Sequence, residues 1–404
     1  MTLETACSCG NESRAHGDLS TMHDDDAIER PKSAKTRASM RARRLQTLPV
    51  HRGRGQPPPQ ACRGAFFLSA LSALAALITG CPSARPPASA PSVSKPMPVA
   101  GGPWVSAHGA DHALVGRIWL DGRFVDRAQL FDRMRSSRFV LLGEKHDNPD
   151  HHRLQRAALE SLAEGGRAPA VVFEMLDADR QSAIDVACGA APPADPDAFA
   201  QAIGWNDRGW PWPLYRPLVA FTLERRWPLV AGNYPHARIR ALFAAGHGHG
   251  TVGAHTALAP DPAELAALGV DRPLPDDDAR ALEAELVAAH CGHPVGAMLP
   301  AFVTAQRLRD AKLAERMATT ATAGGAVLVA GAGHVRLDRG VPTYLAARIG
   351  ADRAAIFTIA FVEVRDGLVD PHDYADAWHA RQIPFDALWF TPVEDPSDPC
   401  ASMR

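Results

Sequence analysis

Beyond residue 112 the chain carries five apolar runs of strand length: Phe139 to Gly143, Ala170 to Phe173, Pro228 to Ala231, Ala326 to Ala330 and Ala355 to Val364. None alternates apolar with polar residues, so each is apolar on both faces, the pattern of parallel strands sandwiched between helices. The segments between them read as helices: Asp150 to Glu164, with Pro149 in a first-turn position and Gly165 behind it, then Pro213 to Arg226, Pro235 to Ala244 and Leu299 to Thr320. The alternation predicts an α/β fold, a largely parallel sheet covered by helices on both faces. Arg117 to Leu120 and Arg123 to Val125 flank Asp121-Gly122 and read as a small hairpin. Two stretches break the alternation. Ala187 to Asp207 is rich in Pro, Asp and Ala, whereas Gly246 to Pro300 opens with a Gly/His loop and holds a helical pattern from Asp276 to His290. The second, at about 246–298, reads as a helical insertion capping the C-terminal ends of the strands.

Composition changes the picture mainly at the N-terminus. With 46% hydrophobic and 22% charged residues and a net charge of −2 over 404 residues, the chain is neither a disordered tail nor a multi-span membrane protein, and it lacks the basic footprint of a nucleic-acid binder. Residues 1–64 hold 11 Lys/Arg and 7 Asp/Glu, all seven acids at or before Glu29, so Arg30 to Gly64 is basic and free of carboxylates. Sixteen uncharged residues follow, Ala65 to Gly80, too short to span a bilayer comfortably and suited to the apolar core of a secretory signal. Leu77-Ile78-Thr79-Gly80-Cys81 resembles a bacterial lipobox, which makes Cys81 the expected lipidation site. The expected division is an extension and signal peptide over 1–80, a Pro/Ala/Ser-rich tether over 81–112 and one α/β domain over 113–404. The leader is long for a signal peptide, which places the expected start downstream, at Met40 or at a codon read as Val50. Pro82 after the cysteine resembles outer-membrane sorting, so an envelope lipoprotein facing the periplasm is expected. Past Cys81 remain Cys188, Cys291 and Cys400, enough for at most one disulfide, whose pairing the sequence leaves open.

Candidate chemistry collects at the C-terminal ends of the strands, where open parallel sheets form their binding crevice. The first run ends in Gly143-Glu144-Lys145-His146, the second in Glu174-Met175, the third in Gly232-Asn233 and the fourth in Gly331-Ala332-Gly333-His334, and the helix after the first adds His151, His152 and Gln155. Each residue alone has an ordinary structural role, a cap or a hydrogen-bonded histidine. Two carboxylates and two imidazoles from separate strands are costly to bury together without a function, since each carboxylate needs donors or a cation.

These segments resemble the ChaN-like haem-binding uptake proteins, within a wider group of Tiki/TraB-type metallohydrolases and erythromycin esterases. The likeness runs from about Phe139 to Pro392 and is carried by LLGEKHDNPDHHRLQ (141–155), VVFEML (171–176), Gly204-Trp205 with WPLYRPL (212–218), LVAGNYPHARIR (229–240), AQRLRDAKLAERMA (305–318), VLVAGAGHVRLDRGVPTYL (327–345) and DALWFTP (386–392). It implies an envelope lipoprotein that binds haem, as a homodimer, in iron uptake or haem handling. Haem requires an apolar slot, an axial ligand and cations for its propionates. His146, His152, Tyr215 and His334 are the axial candidates, and Glu144, Glu174, Asn233 and Arg309 complete the expected site. Arg309, Arg336 and Lys145 are candidates for the propionates, and Trp205, Trp210 and Trp212 for a flat wall. Spacing does not choose among the axial candidates.

The alternative is a metal-dependent hydrolase in which Glu144, His146, Glu174 and His334 hold zinc or manganese, or Glu174 serves as a general base. Neither a Gly-x-Ser-x-Gly elbow nor a His-Glu-x-x-His helix accompanies them, and non-enzymatic haem binding is the favoured reading. The tract of His247, His249 and His255 and the cluster of His290, Cys291 and His293 read as structural. Arg307, Arg309 and Asp310, in mid-helix, are candidates to orient Glu144 or Glu174.

Overall fold

The computed structural model describes residues 102–189, 195–246, 258–292, 296–398 and 400–401. The Gly/His tract with His247, His249 and His255, together with His293 and Cys81, lies outside the described residues. An eight-stranded sheet runs in the order β2-β1-β8-β7-β3-β6-β4-β5. Its parallel part comprises β3 (Phe139–Glu144), β4 (Ala170–Asp177), β5 (Leu229–Asn233), β6 (Ala326–Gly331), β7 (Ile356–Glu363) and β8 (Ala387–Thr391). The hairpin β1 (Ile118–Leu120) and β2 (Arg123–Val125) joins antiparallel to β8. Strand β8 is absent from the sequence expectation, because its five buried residues form a short run hemmed in by Pro384 and Pro392.

Both faces of each inner strand are apolar, as expected, and they feed two cores. Val140, Leu142, Phe173 and Val329 pack with Leu154 and Ala158 of α2 (Pro149–Glu164) and with Tyr215 and Leu218 of α5 (Trp212–Glu224). Phe139, Leu141, Val172 and Leu328 pack with Leu308 and Ala311 of α9 (Leu299–Thr320) and Leu345 of α10 (Val341–Arg348). Helix α2 starts at the expected proline, and Asn148 caps it by accepting the amides of Asp150 and His151. Helix α1 (Arg127–Arg135) escapes periodicity because only Leu130 and Met134 are buried, although Asp126 and Gln129 form a capping box at its start.

The insertion, the disulfide and the N-terminal segment add further packing. Within the insertion, α8 (Asp276–Ala289) sends Glu285 to the fully buried Arg336 at 3.2 Å, and Arg339 bonds the same carboxylate. Cys291, just past α8, is disulfide-bonded to Cys400, with the Cα atoms 5.3 Å apart, and Cys188 has no disulfide partner among the described residues. His290 Nδ1 donates to the Leu286 carbonyl, 2.7 Å away, and the ring packs on Phe302, so the structural reading of that cluster holds for its described members. Residues assigned to the tether on sequence are already packed: the amides of Val105 and Ser106 bond Asp150, and His108 pairs with Val393. Among the described residues, no helix is long and apolar enough to cross a membrane.

Strand β6 is entered through a turn that only glycine fits. Gly325 has φ +88°, and a Cβ there would lie 1.9 Å from the Arg138 carbonyl oxygen. Gly325→Ala is expected to lower unfolding free energy by at least ~1–3 kcal/mol, the cost of a residue held in a disallowed backbone region. Urea denaturation with an unchanged midpoint would contradict this placement of the turn.

Candidate functional site

The site forms where β3 has neighbours on both sides. Its chain connection leads through α2 to β4 on one flank, whereas β6 connects across to β7 on the other, and such opposed connections leave room for a crevice beyond the strand ends. A crevice of about 240 Å³ occupies the gap, lined among others by Glu144, Lys145, His146, Phe361, Val362, Val364, Arg365, Tyr374 and Trp378.

Glu144, the last residue of β3, has no exposed side-chain surface. Its Oε1 accepts the Nδ1–H of His146 at 3.0 Å and the hydroxyl of Tyr215 at 2.8 Å. Its Oε2 lies 3.1 Å from His152 Nδ1, without hydrogen-bond alignment. Burial alone would raise its pKa, but the His152 ring and the hydrogen bond from His146 outweigh burial and lower it to about 2. Burial and the Glu144 carboxylate push the Tyr215 phenol well above its ordinary range, which keeps it a donor. His152 is anchored through Nε2 to the His146 carbonyl at 2.9 Å and stacks edge-on against Tyr215. Gln155, one turn along α2, donates to the Leu142 carbonyl and ties the helix to β3.

A second group forms behind it. Glu174, on β4, accepts the Gly331 amide at 2.7 Å and meets His334 Nε2 at 3.1 Å. His334 Nδ1 reaches Asp310 of α9 at 2.6 Å, and the Gln306 side-chain amide lies 3.1 Å from the same nitrogen. Burial would depress His334, yet the two carboxylates around it prevail and raise it to about 10, so the ring is an imidazolium. Burial would raise Glu174 too, but the imidazolium holds it far below the usual carboxylate range. Burial raises Asp310 to about 6 despite that neighbour. The two groups meet at Gly331: a Cβ there would lie 2.8 Å from the His146 ring and 3.7 Å from Glu174 Oε2.

Several expectations change in three dimensions. Of the four axial candidates only His146 lines the crevice, with 18% of its side chain exposed; among the described residues its Nε2 has no hydrogen-bond partner. Tyr215 is fully buried, His152 is tied to a carbonyl, and both His334 nitrogens face carboxylates. Asn233 ends β5, three strands from β3 and thus ~14 Å across the sheet. Arg336 is spent on Asp338, Glu285 and the Trp378 carbonyl. Arg309 is buried on α9, and Arg307 bonds Tyr344 and the Arg272 carbonyl; it is Asp310 that orients His334 and, through it, Glu174. Trp205 and Trp212 pack edge-to-face on each other and are not among the crevice-lining residues, and Trp210 packs edge-on against His146 at 4.8 Å. The apolar wall is instead Phe361, Val362, Val364, Tyr374 and Trp378, and the rim carries Arg365, which motif reading missed because it lies in a loop past β7. His151 also faces the crevice; its Nδ1 accepts the Lys145 amide at 2.8 Å and its Nε2 meets Thr391 at 2.9 Å, in keeping with a pKa pushed well down by burial. The four residues expected to share a divalent metal divide between the two groups, and among the described residues no cluster of three or more His, Cys, Asp or Glu is placed to hold a metal ion.

Because His334 titrates higher in the folded protein than its ordinary 6.5, its stabilisation is fully present below pH 6.5 and is lost as pH rises through about 10. His334→Gln is expected to cost ~3–5 kcal/mol near pH 6, the range for breaking a buried ion pair. The gap to wild type should narrow towards pH 10, and denaturation curves showing an equal gap at both pH values would contradict the imidazolium assignment.

Residues 130–345, just over half of the chain, match the family model described as "Haem-binding uptake, Tiki superfamily, ChaN". Among solved structures, one of ChaN from Campylobacter jejuni showing cofacial haem binding aligns with a TM-score of 0.50 at 17% identity, over 67% of this chain and 95% of that one. A mutant of the erythromycin esterase EreC in its open conformation aligns at 0.36 and 13% identity, over 67% and 94%. A Bacillus cereus protein aligns at 0.32 and 11% identity, over 65% and 90%. No curated protein matches the chain. The ChaN likeness shows a shared fold, and with the family match over residues 130–345 the chain belongs to the ChaN family of haem-binding uptake proteins, in the Tiki superfamily.

Proposed function

We propose that this protein binds haem in the crevice beside β3 and that His146 is the axial ligand. One observation carries the reading: at an apolar crevice, one imidazole presents a nitrogen without a partner among the described residues while a buried carboxylate holds its other nitrogen. Such a carboxylate–histidine pair fixes the tautomer and strengthens the ligand. The residues present fit the group. Phe361, Val362, Val364, Tyr374 and Trp378 supply an apolar face, and Lys145 and Arg365 stand at the rim for the propionates. Lys145 already pairs with Asp147 at 2.5 Å and with Glu363 at 3.5 Å, which leaves Arg365 the better placed of the two.

A crevice of about 240 Å³ falls below the ~300–1,000 Å³ of pockets that enclose a whole ligand. It suits a half-covered macrocycle whose other face meets a second copy, which supports a homodimer. With Leu77 to Cys81 resembling a lipobox, the protein acts as a lipoprotein of the cell envelope, in the outer membrane facing the periplasm, in haem or iron uptake.

Absorbance titration of the purified protein with haemin is expected to give a Soret shift. His146→Ala should weaken binding at least ~10–100-fold, by comparison with what loss of a supporting partner alone costs. Glu174→Gln should leave affinity nearly intact, and abolition of binding by that change with His146→Ala silent would overturn the ligand assignment. Separately, Cys81→Ala should release the protein from membranes, and a variant still labelled by a lipid precursor would contradict lipidation at Cys81.

A further inference from the structure

His146 belongs to a three-membered group, converging on one carboxylate oxygen, that does more than orient a ring. Tyr215 donates to Glu144 Oε1 at 2.8 Å, the same oxygen takes the His146 Nδ1–H at 3.0 Å, and the phenol oxygen lies 3.4 Å from that nitrogen. A carboxylate without exposed surface pulls on an imidazole proton harder than one in water, since the local dielectric is low. The pull shifts electron density towards Nε2 and gives the ring part of the character of an imidazolate. A stronger donor, with a buried negative charge behind it, favours the iron state that carries the extra positive charge. The phenol acts in the opposite sense, because it draws density from the oxygen that holds His146.

The other charges nearby do not cancel this polarity. Glu174 adds negative field at His146, matched from its far side by the His334 imidazolium. His152 faces the second oxygen of Glu144, 3.1 Å away, and its attraction for that carboxylate moderates the pull in the same sense as the phenol without reversing it. Lys145 is paired with Asp147 and Glu363.

We infer that Glu144 and Tyr215 are positioning residues that make the site selective for ferric over ferrous haem, Glu144 by pulling on the His146 ring and Tyr215 by moderating that pull. This rests on the reading that His146 ligates haem. It names the oxidation state of the bound species, which haem capture alone leaves open.

The test is the midpoint potential of the haemin complex of the full chain, titrated with dithionite as the electron donor, alongside haemin affinity for each variant. Glu144→Gln keeps the shape and removes the charge; the ratio of ferric to ferrous affinity should fall about tenfold, raising the potential by ~59 mV for one electron. Tyr215→Phe should lower the potential, because the unshared carboxylate pulls harder. Loosening of the site would move both variants the same way, so opposite signs support the inference. Equal signs, or potentials unchanged in variants that still bind haemin, overturn it while leaving the haem reading in place. A wild-type protein without a Soret shift would overturn both. Should Glu144→Gln fail to fold, Tyr215→Phe decides alone, and a potential that rises or stays put overturns the inference.

Discussion

A carboxylate with no exposed surface has to be compensated from within the protein, and Glu144 is compensated by side chains from three segments. His146 comes from the loop after its own strand, His152 from the helix that follows and Tyr215 from a helix more than sixty residues later. Removing any one leaves a buried charge short of a partner, which costs more than the lost contact itself. The demand locks α2 and α5 to the end of β3, and it fixes which nitrogen of His146 faces outward.

The same economy shapes the group behind it. Glu174, His334 and Asp310 stand on β4, the loop after β6 and α9, and one imidazolium serves two carboxylates. His334 therefore acts as internal structure. Gly331 lets the two groups approach, because its missing Cβ is the space that His146 fills. The polar centre of the sheet thus rests on two hydrogen-bonded units meeting at one glycine, with the apolar crevice on the side of β7.

The C-terminal segment closes the frame. Asn148 donates to Glu363 and to the Pro392 carbonyl, while the Glu394 amide donates to Glu363. Asp395 and Pro396 then line the crevice, and a few residues later Cys400 is bonded to Cys291 at the end of α8. The insertion and the tail are tied together at the rim, so the crevice is walled by segments far apart in the chain.

Sequence alone determined the α/β class, the inner parallel strands and the family, since runs apolar on both faces have few other uses and the strand-end motifs are continuous in the chain. It also brought Glu144, His146, His152, Glu174 and His334 into view, because each sits within a few residues of a strand or helix end. Only the tertiary structure separated their roles, which depend on distances between segments: Tyr215 pointing inward to Glu144, His334 enclosed by Glu174 and Asp310, Arg336 consumed by Glu285 and Asp338. Strand β8, the part of the wall formed by Tyr374 and Trp378, and the rim residue Arg365 were invisible to periodicity. Their burial and position are imposed by neighbours across the sheet, and no local pattern in the chain encodes what will pack against it.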